Sequence, residues 1–292
     1  MYDLNSLIRR HILNFLRDKS AVFFSFLSVI ILVALYFLFI GRQYTGGDLA
    51  MIDPDLKVYI TAGIMMGGIL IINTASLSLG MMGNLISDLT YRKLDGFLVT
   101  PVKRYKIILS YYIASIIVTA VLSLFMWLLT YLYVGIASGY WYSPKTFINT
   151  TLLIIFYTFI STSLMIYLTT MIKSINAFGG LSGVLGTFIG FTSGIYIPLF
   201  VLGKSMTYVA SLIPFTHMAI VLKGVLLEKP YEILAQSIPA ETMTGIKIAF
   251  GSQEIGVLGT DVSMWVIMPV VIALAFMLLF FAYRRMNKKM GN

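Results

Sequence analysis

Apolar residues fall into six long runs, near residues 21–41, 58–86, 106–137, 147–172, 177–199 and 263–283. A helix that crosses a bilayer needs about 20 consecutive apolar residues. Residues 21–40 contain no charged side chain at all. The pattern predicts an all-α integral membrane protein with six transmembrane helices in residues 21–292. Residues 1–20 stand apart from it. On a helical wheel Leu4, Leu7, Ile8, Ile12, Phe15 and Leu16 fall on one side, and Asp3, Ser6, Arg9, Arg10 and Arg17 on the other. Such a segment fits an interfacial amphipathic helix lying flat at the head-group boundary, with its basic face toward water. An ordinary basic flank to the first span is the alternative.

The boundaries between runs carry further signals. The second run holds Gly63, Gly67, Gly68, Gly80 and Gly83 and is long enough to project beyond the hydrocarbon. The third begins near Tyr105 and ends in Tyr131, Tyr133, Tyr140, Trp141 and Tyr142, an aromatic group of the kind that collects at a membrane boundary. Lys173-Ser174-Ile175-Asn176 reads as a tight turn. Met206 to Leu227 is apolar enough to resemble a seventh span, but Pro214, His217 and Lys223 make a full crossing costly. Residues 200–262 therefore read as a re-entrant helical segment followed by a small outer part. That part carries Glu228, Glu232, Glu241, Glu254 and Asp261.

Charge gives the orientation. With the N-terminus inside, the inner segments hold 14 of the 21 Lys and Arg residues but only four of the 12 acids, Asp3, Asp18, Asp88 and Asp95. The inside is then +10 and the outside −1. Basic residues resist translocation, so both termini are expected in the cytoplasm. The chain is 59% apolar, which one soluble core of 292 residues cannot hide. The net charge of +9 accordingly points to anionic lipid head groups rather than nucleic acid. There are no cysteines, which excludes disulfides, thiolate metal sites and cysteine nucleophiles. The first run is too long for a signal-peptide core and reads as a retained helix.

Candidate chemistry is sparse. Ser182, Gly186, Gly190 and Gly194 recur every four residues, with Gly179 and Gly183 as a second pair. That spacing puts small residues on one helix face, where another backbone can approach. It fits a protomer or helix interface beside a translocation path, or close packing within the chain. Pro198 should break this helix. Gly203-Lys204-Ser205 lacks the earlier glycine of a phosphate-binding loop. No pair of acids lies within the runs, and His11 and His217 fall on opposite sides of the membrane, so neither catalysis nor a metal site is expected. His217 reads as an interfacial side chain. Asn149-Thr150-Thr151 fits a glycosylation acceptor by chance, at a span edge.

The loop from Ser87 to Arg104 is more specific. Leu85, Leu89, Leu94, Phe97 and Leu98 alternate with charge in a stretch too short to fold alone, so it should dock on something. Here the chain resembles the permease subunits of type-2 ABC exporters, the drug-export branch in particular. The family shows an acidic-Arg-Glu-x-Gly stretch, then a Leu-acid pair, two apolar residues and x-Thr-Pro. Leu94, Asp95, Phe97, Leu98, Thr100 and Pro101 match the second half; Leu89, Thr90 and Arg92 stand where the family prefers Arg, Glu and Gly. A second match runs over Ser193-Gly194-Ile195-Tyr196-Ile197-Pro198 and Ser211-Leu212-Ile213-Pro214-Phe215-Thr216.

The resemblance implies a passive permease with no ATPase activity of its own, in a bacterial plasma membrane. A separate ABC ATPase subunit, which binds the ATP and magnesium, would dock on the N-terminal helix and on the coupling loop 87–104. Its contacts would be Asp88, Leu89, Arg92, Leu94, Asp95, Phe97, Leu98, Thr100 and Pro101. A second permease, a copy or a relative, would complete the exporter, and no cofactor would bind this chain. The implied cargo is an amphiphilic drug, antibiotic or peptide. Export of a lipid-linked cell-envelope polysaccharide is the rival within the family; an ion-coupled carrier and an intramembrane enzyme are the rivals from other classes.

Overall fold

The computed structural model describes residues 2–35, 52–236, 238–260 and 262–289. The end of the first apolar run (36–41) and the acid Asp261 lie outside the described residues. The described elements are helical. They are α1 (Tyr2–Arg17), α2 (Lys19–Leu35), α3 (Pro54–Thr90), α4 (Asp95–Leu98), α5 (Arg104–Ser138), α6 (Pro144–Met171) and α7 (Ile175–Thr192). After a 3₁₀ turn at Leu199–Val201 come α8 (Gly203–Ser211), α9 (Pro214–Leu226), α10 (Glu228–Leu234), α11 (Ala240–Phe250) and α12 (Met264–Lys289). Five of them, α3, α5, α6, α7 and α12, are long and apolar enough to cross a membrane. The 17 residues of α2 carry the described part of the first run. The chain is an all-α, multi-pass membrane protein.

Local chemistry sets the ends of these helices. Pro54, Pro144 and Pro214 open α3, α6 and α9 at a first turn that needs no N–H. The Ser143 and Ser174 hydroxyls cap α6 and α7 by accepting from Thr146 N at 3.1 Å and Ala177 N at 3.2 Å. The fifth run ends earlier than its proline suggested. The helix stops at Thr192, and Gly194 follows in the left-handed region at φ +67°. A glycine just past the last turn terminates a helix without Cβ strain. Pro198 only introduces the 3₁₀ turn.

The central element is α3. Its 37 residues make it about 55 Å long, well beyond a hydrocarbon core of about 30 Å. It packs against α2, α5, α6, α7 and α9. Hydroxyl and amide groups form a polar seam where α3, α5 and α6 meet. Asn73 Nδ2 donates to Ser123 Oγ at 3.1 Å, the Thr74 and Ser161 hydroxyls pair at 3.0 Å, and those of Ser78 and Thr162 pair at 2.9 Å. The Tyr112 and Ser163 hydroxyls lie 2.8 Å apart. Bonds of this kind between membrane helices contribute about 0.6 kcal/mol each, and they fix register more than they add stability.

The aromatic group after α5 is only partly a boundary belt. Tyr133 and Trp141 stay exposed, but Tyr142 is buried, with ring centroids 4.7 Å from Tyr59 and 5.2 Å from Trp127. A short connection folds it back over the end of the bundle. Segments α8 and α9 meet at 95°, a sharp bend within the apolar stretch from Met206 to Leu227. Thr216 Oγ1 ties the turn to α7 by donating to Thr192 O at 2.8 Å.

Candidate functional site

At the end of the bundle that carries α1 and the basic loop, five side chains converge. Leu7, His11 and Phe15 recur every four residues on α1 and are buried. This face packs on α5, α2 and α3. Ile8 and Ile12 lie partly buried beside it, while Leu16 points away. Arg10, placed on the water side by the wheel, turns inward instead. Its Nη1 donates to Asp88 Oδ2 at 2.8 Å, and its side chain is 28% exposed against 4% for Asp88. The Tyr111 hydroxyl donates to the same oxygen at 2.6 Å. Lys93 Nζ stands 4.0 Å from the other oxygen.

His11 completes the arrangement. Its ring stacks on Tyr111 with centroids 3.7 Å apart. The Ser110 hydroxyl donates to Ile107 O at 2.6 Å, so its oxygen accepts from His11 Nε2 at 3.0 Å. His11 Nδ1 then faces Arg10 Nη1 at 3.4 Å as an acceptor, which requires a neutral ring. Burial, reinforced by the charge of Arg10, lowers the His11 pKa to about 4, against the pull of Asp88. Burial also acts to lower the Arg10 pKa, but the bonded carboxylate outweighs it and holds the guanidinium above its ordinary value. Each titratable member of the group is committed to a structural bond. The assembly is a clamp rather than a reacting centre.

The loop is built on the same carboxylate-bearing turn. Lys93 N donates to Asp88 O at 2.9 Å and Tyr91 N to Ser87 O at 2.9 Å, closing α3 with a wrapped end. Arg92 occupies the left-handed position of that end at φ +54°. It is the position where the resemblance favours glycine. A side chain there costs about 1–2 kcal/mol. Arg92→Gly should therefore raise the thermal unfolding midpoint by an amount corresponding to about 1 kcal/mol, after the extra chain entropy of glycine. Lys93→Gly should not raise it. The midpoint measured in detergent checks both.

The coupling residues expected from the sequence part company here. Asp88 and Leu94 are buried, and Leu89 is partly buried. Phe97 is half-buried beneath Arg10, whose Cζ lies 5.0 Å from the ring centroid. Leu98 closes α4. Arg92, Asp95, Thr100 and Pro101 are exposed, with Thr100 Oγ1 donating back to Phe97 O at 2.6 Å. Much of the apolar set that should dock on something thus docks within the chain itself. Two exposed apolar residues went unnoticed in the sequence, Tyr91 at 64% and Val99 at 87% exposure. Arg10, His11 and Tyr111 were missed as members of the site. The sequence signal for them is the four-residue spacing of Leu7, His11 and Phe15, which places a histidine in an apolar stripe.

The small-residue stripe also divides. Ser182 and Gly186 line a mostly apolar cleft of about 530 Å³ between α2, α3 and α7, and a Cβ on Gly186 would meet nothing. Gly190 packs instead against the Tyr196 ring from the chain's own return. Gly194 has left the helix altogether. Pro214 opens α9. His217 is buried, with Nε2 2.7 Å from Ser211 O. A seat unforeseen in the sequence lies on α3, where Gly63 and Gly67 admit Leu227 and Lys223 of the bent segment.

No curated protein matches the chain. Residues 2–227, more than three-quarters of its length, match the family model of the ABC-2 type transporter, and the chain is a permease subunit belonging to that family.

Proposed function

We propose that this permease is the gate of an ATP-driven exporter in a bacterial plasma membrane, with both termini and the basic loop in the cytoplasm. A separate ATPase subunit, which carries ATP and magnesium, docks on the exposed rim of loop 91–103 and drives the gate. A second permease faces the cleft between α2, α3 and α7. The cargo is an amphiphilic drug, antibiotic or peptide, moved outward along that apolar cleft past Ser182 and Gly186.

One observation carries the reading. The fold already uses Leu94 and Phe97, yet Tyr91 and Val99 stand in water at the end of the molecule richest in Lys and Arg. Large apolar side chains left exposed beside charges mark a docking patch. They supply apolar anchors, while Asp95 and Arg92 supply a charged rim.

Val99→Asp should lower recovery of a co-purified ATP-hydrolysing partner about tenfold, the effect of losing one interface anchor, while the permease inserts and melts normally. Leu94→Ala should behave differently. It removes a buried side chain, so stability falls by about 2–5 kcal/mol. Full partner recovery with Val99→Asp, Tyr91→Ala and their combination would overturn the docking surface.

A further inference from the structure

We infer that Asp88 is a positioning residue that welds α1 to the coupling loop, so that α1, the end of α3, α4 and the start of α5 move as one body during transport. This rests on the proposed ATP-driven reading, for which it names the lever.

The observations converge from four elements. Arg10 comes from α1, Asp88 from the last turn of α3, Tyr111 from α5 and Phe97 from α4. Both donors reach the same carboxylate oxygen, Arg10 at 2.8 Å and Tyr111 at 2.6 Å. Charge-assisted bonds of this length are the strong ones. Phe97 closes the open face of the Arg10 guanidinium. Asn84 Nδ2 adds a bond from α3 to the backbone of α1, at His11 O and 3.3 Å. Below the clamp, the hydroxyl seam continues the same block through α3, α5 and α6. Among the described residues, the hydroxyl bonds that join α3, α5 and α6 do not extend to α7, which is tied instead to α9 through Thr216 and Thr192. The glycine face of α7 borders the cleft, and α7 has room to shift relative to the block.

A lone surface ion pair would not justify this inference, because such pairs contribute little. Here the carboxylate is buried and shared by two elements. Removing its charge leaves a guanidinium without a counter-charge in the joint between α1 and the loop. A push on the loop then turns α4 without carrying α1 along.

The chain has no native cysteine, so spin labels can be placed singly on exposed residues. The full-length permease in nanodiscs would carry labels at Asn14 and Lys103, across the clamp, or at Lys103 and Asn176, between the block and α7. With the co-purified ATPase and ATP plus vanadate, the Asn14–Lys103 distance should stay a single narrow population while Lys103–Asn176 changes. In Asp88→Asn and Arg10→Gln, Asn14–Lys103 should gain a second, longer population even without nucleotide. ATP hydrolysis should continue, but Lys103–Asn176 should no longer respond. Arg10→Lys should restore part of the response. Tyr111→Phe, which removes one hydroxyl, covers the case in which the charge variants fail to fold and should show the same effects more weakly.

A parental Asn14–Lys103 distance that changes during turnover would overturn the inference. So would variants that keep both distances and both responses. If no ATP-hydrolysing partner co-purifies, the ATP-driven reading fails instead, and the nucleotide-free comparison still decides whether the clamp holds.

Discussion

Replacing Gly67 by leucine is expected to detach the bent segment α8–α9 from α3. A Cβ on Gly67 would lie 2.5 Å from Lys223 Cγ and 3.1 Å from both Lys223 Cα and N. Two of those three atoms are backbone, so the neighbour cannot rotate away. One turn earlier, a Cβ on Gly63 would meet Leu227 Cδ2 at 2.8 Å. Four-residue spacing places both glycines on one face, and α9 lies directly along it. Overpacking a fitted contact costs about 1–3 kcal/mol, and a leucine forced against backbone belongs at or above the upper end. The segment has few ways to compensate. Lys223 is buried, and its ammonium sits against Gly251, which ends α11, where the negative end of the helix dipole favours a cation. Detachment breaks that arrangement too. Trypsin gives a direct readout, since Lys223 is out of its reach in the folded protein. Gly67→Leu should melt lower and be cut at Lys223 under conditions where the parent resists. Gly245→Leu on α11, whose Cβ would meet nothing, is the matched control. If Gly67→Leu resists trypsin and melts like that control, the seat is not where the bent segment is held.

The same glycines show where reading the sequence succeeds and stops. Long apolar runs located the spans because a helix that crosses a bilayer has no other way to satisfy its backbone. The bent segment was legible from Pro214, His217 and Lys223, which oppose a straight crossing. The end of α7 was legible too, from Gly194 followed closely by Pro198, although the weight belongs on the glycine. What could not be read is which surface a small or apolar residue meets. Gly186 and Gly190 share residue type, helix and face. One opens onto a cleft and the other onto Tyr196, because the chain folds back only after α7 has ended. Leu94 and Phe97 show the same ambiguity. Their alternation with charge demands a partner, and the chain's own fold meets that demand, by burying Leu94 and by setting Arg10 of α1 over Phe97.

The site itself divides along similar lines. Asp88 stood out as an acid in a basic loop, but its partners lie 78 residues before it and 23 after it, at Arg10 and Tyr111. No local pattern links them. Arg10 looked solvent-facing because an isolated helix is judged by its moment alone. The fold overrides that judgement, since a buried carboxylate at the end of α3 supplies a stronger demand than water does. The match between Arg92 and a glycine-favouring position had a physical meaning that only the backbone angle disclosed.

Acidification should loosen α1 before it affects the rest of the bundle. The docked His11 is neutral and has a pKa of about 4, whereas an undocked His11 titrates near its ordinary value of about 6.5. Between those values the undocked helix binds a proton that the docked helix refuses. Docking is therefore complete above about pH 6.5 and weakens as pH falls toward 4. The full span corresponds to about 3 kcal/mol, enough to matter for a helix held mainly by one face. The charged and polar groups around the ring, Asp88 apart, do not favour its protonation. Arg10 repels a second positive charge on α1, and Ser110 accepts from Nε2 in either state. A proton on Nδ1 would point at the guanidinium. Asp88 alone favours protonation, but Arg10 and Tyr111 already share its near oxygen. The thermal midpoint, or the mobility of a spin label at Asn14, should fall steeply between pH 6.5 and 4.5 in the parent and much less in His11→Gln. A slope that survives in His11→Gln belongs to carboxylates. A parent and variant with identical pH profiles would mean that the imidazole is not the group that α1 must keep uncharged to stay docked.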